Sequence, residues 1–244
     1  MAQRTAEEED AKRPNRERGN LVTDQTRIVN QIKAILARFG IRTFRPTLRK
    51  AEEKLKGLHT AEGAPLPENT RAELRRHLAR LRVIREQIRA VEQERLRKLA
   101  AAPPAENGSH AMVRLIGRVL GVGIETADML VNEVFSRHWR DRKAVARYAG
   151  LTGSPDESGR RRRERGLARA GNARVRCGMI QFAWRFLRFQ ENSALTQWFR
   201  ARTADGRGST RKTMIVALAR KLLIALWRLV TTGQVSDGIV LRPA

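Results

Sequence analysis

The chain has 244 residues and a formal charge of +25, with 50 Lys and Arg against 25 Asp and Glu. That length suits one or two domains with real cores, and the charge selects a polyanionic partner, nucleic acid before a ribosomal or membrane surface. A single cysteine, Cys177, excludes an intrachain disulfide and a thiolate metal cluster, and the lack of any apolar run near 18 residues excludes an evident membrane span.

Residues 1–20 run from Glu7, Glu8, Glu9 and Asp10 into Lys12, Arg13, Arg16 and Arg18. So charged a segment, poor in apolar residues, reads as flexible, and its acidic start does not resemble a signal peptide. Helical periodicity begins near Leu21, with Ile28, Ile32, Ile35, Leu36 and Phe39 at steps of three and four and Gly40 as a C-terminal cap. A shorter pattern follows through Leu48, Leu55 and Leu58, and Gly63, Pro65 and Pro67 mark a turn. Thr70-Arg71-Ala72-Glu73 has the form of a capping box. Beyond it, Leu74, Leu78, Leu81, Ile84, Ile88, Val91, Leu96 and Leu99 predict a long amphipathic helix. Residues 21–100 are therefore expected to form a coiled-coil-like antiparallel arm. An interdomain or dimerisation stalk and an ordinary helical pair explain that pattern equally well.

Pro103, Pro104, Asn107 and Gly108 make residues 101–110 the expected linker, with a compact domain over 111–244. This domain opens on Val113, Leu115, Ile116, Val119 and Leu120, then Gly121-Val122-Gly123, then a helix through Ala127, Leu130, Val131 and Val134. Helix, GxG turn, helix is the pattern of a helix-hairpin-helix, whose turn offers N–H groups to a phosphate; tight helix packing explains the glycines as readily. Lys143 to Tyr148 predicts a short helix and Gly153 to Gly171 a polar loop. Helices resume at Asn172, through Val175, Met179, Phe182, Phe186 and Phe189, and after Gly208, through Met214, Ile215, Leu218, Leu222, Leu223, Leu226 and Trp227. The expected fold is mainly α. Cys177, inside an apolar-periodic segment, reads as a buried structural thiol.

Chemistry concentrates between residues 158 and 176. Ser158 and Gly159 precede eight arginines, namely Arg160, Arg161, Arg162, Arg163, Arg165, Arg169, Arg174 and Arg176, opposed only by Glu164. Guanidinium groups hold phosphate in a planar, two-pronged way. A serine among them has what a metal-free phosphoryl-transfer nucleophile needs, because cations favour its alkoxide and offset charge on the phosphate oxygens. The same composition suits a plain nucleic-acid-binding loop in which Ser158 makes a turn, and Ser154 or Thr152 is nearly as eligible. Glu125, Asp128 and Glu133 share a helix at a spacing that reads as a solvated or ion-paired surface. No metal site is expected in this chain, and His59, His77, His110 and His138 match no ligand spacing.

These residues carry a resemblance. Ala149-Gly150-Leu151-Thr152, Asp156-Glu157-Ser158-Gly159, Gly166-Leu167-Ala168-Arg169-Ala170-Gly171-Asn172 and Arg174-Val175-Arg176 are similar to the C-terminal domain of the IS110/IS116 transposases. These are relatives of the Piv-type DNA invertases, some of them guided by a structured bridging RNA. Leu120-Gly121-Val122-Gly123-Ile124-Glu125-Thr126-Ala127 resembles the family's GIG-x-x-TA segment, and Glu7 to Leu99 its helical middle region. The resemblance implies that Ser158 forms a covalent link to DNA. With it go DNA or RNA phosphate contacts from Arg160, Arg161, Arg162, Arg163, Arg169, Arg174 and Arg176; Arg165 and Asn172 in the same stretch, and Gly121 and Gly123 of the GxG turn, are further candidate nucleic-acid contacts.

Family members also carry an N-terminal RuvC-like domain whose four acidic residues bind Mg2+, and the Glu7–Asp10 run is not its equivalent. The chain therefore reads as the C-terminal part of such a transposase, with no cofactor of its own and Mg2+ expected only in the RuvC-like domain. Its expected partners are DNA, a bridging RNA and further copies of itself, with no membrane, in the cytoplasm at a prokaryotic nucleoid. The competing readings are a non-catalytic nucleic-acid-binding remnant and a structural helical adaptor.

Overall fold

The computed structural model describes residues 5–103, 108–158, 161–167 and 170–243, with backbone alone for 154–158 and 161–167. It is mainly α-helical. Two compact units emerge, one of Arg13–Ala101 and one of Met1–Lys12 with Ala102–Ala244.

The acidic run near the N-terminus forms a short helix, α1 (Ala6–Asp10). Thr5 caps it by accepting from the Glu8 N–H at 3.2 Å, and Glu7, Glu8 and Glu9 sit in the first turn, where the helix dipole favours anions. Helix α2 (Arg13–Ala37) starts eight residues earlier than the apolar pattern suggests. Residues 13–20, read as flexible, are thus helical, and ties to the facing helix account for this: Asn15 accepts from Arg95 at 3.0 Å, and Arg18 pairs with Glu92 at 2.7 Å.

The first unit is a helical arm. Helix α2 packs on α4 (Glu68–Ala101), with the short α3 (Ala51–Lys56) against α4. Because residue 15 meets 95 and residue 18 meets 92, α2 and α4 run antiparallel. The seam is apolar, with Ile28, Ile32 and Leu36 buried against Leu74, Leu78 and Leu81, and Phe44, Leu55 and Leu66 closing the core. A part-exposed pair such as Arg18–Glu92 contributes about 0.2–1 kcal/mol, whereas each fully buried Leu or Ile contributes about 1.5–3. The apolar seam therefore dominates.

Helix α2 ends in a Schellman turn. The Ile41 N–H bonds the Leu36 carbonyl at 3.0 Å and the Gly40 N–H bonds Ala37 at 3.1 Å. Gly40 has φ +75°, and a Cβ there would lie 2.5 Å from that of Ala61, so only glycine fits. Thr70 is not a cap: α4 already starts at Glu68, and the Arg71 N–H bonds the Pro67 carbonyl at 2.9 Å. Leu36→Ala is expected to lower the arm's unfolding free energy by about 2–5 kcal/mol. An unchanged urea midpoint would contradict the seam.

The second unit is built on α10 (Gly208–Thr232), whose Ile215, Leu218, Ala219, Leu222, Leu223, Leu226 and Leu229 are buried. Around it lie α5 (Ser109–Gly117), α7 (Arg142–Tyr148), α8 (Ala173–Phe189) and α9 (Ala194–Arg202). Helix α6 (Ile124–Leu130) packs on α5 and α8 and runs directly into a π-helical turn, Val131–Phe135. Gln190, only 2% exposed, fixes the chain's end. Its amide donates to the Leu120 and Val240 carbonyls and accepts from the Val240 N–H, each at 2.9 Å.

Two expectations are corrected here. Residues read as a polar loop form an antiparallel hairpin, β1 (Gly153–Ser158) and β2 (Arg161–Leu167). Cys177 is exposed, not buried. Val175, Met179, Phe182 and Phe186 define the buried face of α8, and position 177 lies half a turn away from it.

Candidate active site at the root of a basic hairpin

The hairpin grows from a tightly crossed root. Helix α7 begins with Asp141 as N-cap, accepting from the Ala144 N–H at 2.8 Å. That bond holds the Asp141 carboxyl below its ordinary range. The helix ends at Tyr148, and Gly150, with φ +63°, turns the chain toward β1. On the return side, Gly171 takes φ +95° and Asn172 caps α8. The two glycines face each other. A Cβ on Gly171 would lie 2.6 Å from the Gly150 nitrogen and 2.7 Å from the Tyr148 oxygen. A Cβ on Gly150 would collide with the Ala170 carbonyl and sit 2.5 Å from Arg176 Nη1. The AGL and GN motifs, about twenty residues apart in sequence, thus form one crossing in which backbone touches backbone.

Asn172 ties the crossing together. Its N–H donates to the Tyr148 carbonyl at 2.7 Å. Its side-chain oxygen accepts from the Arg174 and Val175 N–H groups at 3.1 and 3.3 Å, capping α8. Its side-chain NH2 donates to Glu133 Oε2 at 3.0 Å and to the Tyr148 hydroxyl at 3.2 Å. Glu133 is 2% exposed. The π-helical turn widens the helix just where Glu133 must reach inward, a common use of such turns. The Tyr148 ring is packed by Trp139, at 5.0 Å between centroids, and by the Arg137 guanidinium, 4.4 Å above it.

Among the described residues, two cationic donors remain unsatisfied at this root. Arg137 Nη2 and Arg176 Nη1 are buried without a hydrogen-bond partner. A buried guanidinium N–H left unpaired costs more than about 1–3 kcal/mol, so this region suits an anion. From here β1 runs outward to Ser158, which ends the strand opposite Arg161; Glu157 faces Arg162 and Asp156 faces Arg163 in the register. Arg165 faces Ser154. Arg160 and Arg169 lie outside the described residues. Arg174 is exposed and Arg176 half-buried on the first turns of α8.

The other glycines named from the sequence lie elsewhere, between α5 and α6. Gly121 has φ +97° and stands against Phe189, where a Cβ would be 3.4 Å from that of Phe189. Gly123 is the N-cap position of α6. Glu133, Arg137 and Tyr148 escaped the sequence reading. The spacing of Glu133 reads as a solvated or ion-paired surface, yet it is buried at 2% exposure; a lone acid among Val131, Val134 and Phe135 is the available signal. Among the described residues, no group of three or more His, Cys, Asp or Glu converges as a metal site.

Residues 113–218 match the model of the Transposase IS116/IS110/IS902 family. The chain is 42% identical over 247 aligned positions to the Sinorhizobium fredii (strain NBRC 101917 / NGR234) protein named "Putative transposase y4rJ". That alignment covers 98% of this chain and 61% of the relative, so the chain spans about three fifths of the relative's length. The matched segment contains the whole hairpin and its root. No helix among the described residues is long and apolar enough to cross a membrane.

Proposed function

We propose that this chain binds DNA, together with a guide RNA, and carries the serine nucleophile of a transposase strand-exchange reaction. The observation that supports this most is the root: two distant motif arms cross on Gly150, Gly171 and Asn172 and project the hairpin bearing Ser158 and its arginines. A nucleophile that must meet a phosphodiester in line needs such a rigid base. In this reading Ser158 Oγ gives up its proton and attacks phosphorus, the P–O bond to one strand's hydroxyl oxygen breaks and that oxygen takes up a proton, so none is consumed overall, and the serine phosphodiester holds the other strand end until a new hydroxyl reverses the step. Arg161, Arg162, Arg163 and Arg165, with Arg160 and Arg169, neutralise the non-bridging oxygens. Arg174, Arg176 and Asn172 support the root, and the Gly121–Gly123 turn adds a backbone contact of helix-hairpin-helix type. The Mg2+ that the family resemblance implies would be supplied by a RuvC-like domain, and the chain would act as an oligomer at the nucleoid.

Ser158→Ala tests the chemistry. With a RuvC-like domain supplied in trans, the wild type should trap a covalent protein–DNA adduct on denaturing gels. The variant should lose it while binding DNA within about twofold of the wild type. The +25 charge also favours a non-catalytic nucleic-acid-binding role. Adduct-free wild type that still binds DNA would select that role.

A further inference from the structure

A second basic surface lies on α10. It is an open cleft of about 810 Å3 between α10 and the segments around α7, lined among the described residues by Arg142, Lys143, Lys212, Arg220, Lys221 and Arg228 and by no acidic residue. Along α10 the lining follows the i, i+4 ridges that slant around a helix. One ridge is Lys212, Val216, Arg220, Ile224 and Arg228, alternating cation and aliphatic; the next is Thr213, Ala217, Lys221 and Ala225. At 1.5 Å per residue the first ridge spans roughly 24 Å, with a cation about every 12 Å.

Helix α10 contains no Asp or Glu at all. Arg142, Lys143, Lys212, Arg220 and Arg228 have no ion-pair partner among the described residues. Lys221 lies over the Trp198 ring at 4.7 Å. Unpaired like charges ranged along one cleft repel one another, so the arrangement favours a polyanion. Val216, Ala217, Ile224 and Ala225 add aliphatic surface to the cleft, and its lining includes Leu151 and Gly153, the root of the strand that carries Ser158.

We propose that this cleft is a track for one unpaired nucleic-acid strand, which it delivers to the base of the hairpin. The inference rests on the nucleic-acid reading above and adds a site to it. A positively charged groove tracks the backbone of a single strand, and here Val216, Ala217, Ile224 and Ala225 would lie under its sugars and bases. A cleft this small takes in a few nucleotides of one strand rather than a duplex.

The test is salt-dependent binding of short single-stranded DNA, single-stranded RNA and duplex DNA by the full chain. It compares the wild type, the triple variant Lys212→Gln/Arg220→Gln/Arg228→Gln, and a charge-matched control, Arg75→Gln/Arg76→Gln/Arg82→Gln, on the arm. Losing three phosphate contacts should lower the single-strand log–log salt slope by about 2. Carried over one decade from 1 M, that is about 100-fold weaker binding at 0.1 M salt. The control should change little, and duplex binding should fall less than single-strand binding. Whichever of DNA and RNA loses more identifies the strand.

Equal losses in variant and control, or a selective loss of duplex, would overturn the track. So would an oligoglutamate peptide that displaces the oligonucleotide only from the wild type, since the cleft would then be a protein-docking site. Wild type that binds none of the three probes would refute the nucleic-acid reading itself. If the triple variant does not fold, ultraviolet cross-linking of a thio-substituted oligonucleotide to the wild type decides, by whether the linked peptide comes from α10.

Discussion

Gly171→Ala is expected to collapse the root of the hairpin, whereas Gly233→Ala, at a similar backbone angle, is expected to be mild. Both glycines sit at positive φ, +95° and +71°, so both substitutions pay a conformational penalty of about 1–2 kcal/mol. They differ in space. A Cβ on Gly233 meets nothing within 4 Å. A Cβ on Gly171 falls 2.6–2.8 Å from three backbone atoms, the Gly150 nitrogen and the Tyr148 and Arg147 oxygens. Backbone cannot swing aside as a lysine tip can, and retreat would pull Tyr148 from the 2.7 Å bond that it accepts from the Asn172 N–H. Clash and lost bond bring the total to about 3–5 kcal/mol. For a chain of this size that lowers Tm by about 10 °C, against about 2–4 °C for Gly233→Ala. Equal melting shifts in the two variants would mean that the root is not close-packed.

The parts legible in the sequence are those where burial is periodic. Ile28, Ile32 and Leu36 facing Leu74, Leu78 and Leu81 repeat at helical spacing because one face of each helix meets the other. The same logic exposes α8 and α10. The hairpin was illegible for a physical reason: a two-stranded ribbon of Ser, Asp, Glu and Arg has no apolar face, so no alternation marks it as strand. The root was only half legible. Gly150, Gly171 and Asn172 stood out by resemblance, but their partners Glu133 and Tyr148 come from 39 and 24 residues away from Asn172. A single sequence does not display contacts of that range. Cys177 misled because an apolar segment was read as a whole rather than by face, and Thr70 because its capping-box pattern lies inside a helix that already begins at Glu68.

Asn172→Asp should be more damaging than Asn172→Ser, although Asp and Ser cap helices about equally well. Asn172 has two jobs that different atoms perform. Its oxygen caps α8, and either replacement retains that. Its NH2 donates to Glu133, which is 2% exposed, and to the Tyr148 hydroxyl. Serine removes this donor, so Glu133 loses its bond from Asn172, a loss of about 0.5–1.5 kcal/mol, or about 1.5–3 to a charged carboxylate. Aspartate removes the donor and sets a second carboxyl roughly 3 Å from the first, where the pair cannot both ionise without repulsion. The introduced carboxyl therefore titrates higher when folded than when unfolded. The folded state then binds more protons, so stability falls as pH rises through that range and returns as pH falls. Urea melts at several pH values should show Asn172→Asp below Asn172→Ser at pH 8 and converging with it near pH 4. Parallel curves would mean that the NH2 of Asn172 does not engage a buried carboxyl, and that the root is held by the glycine crossing alone.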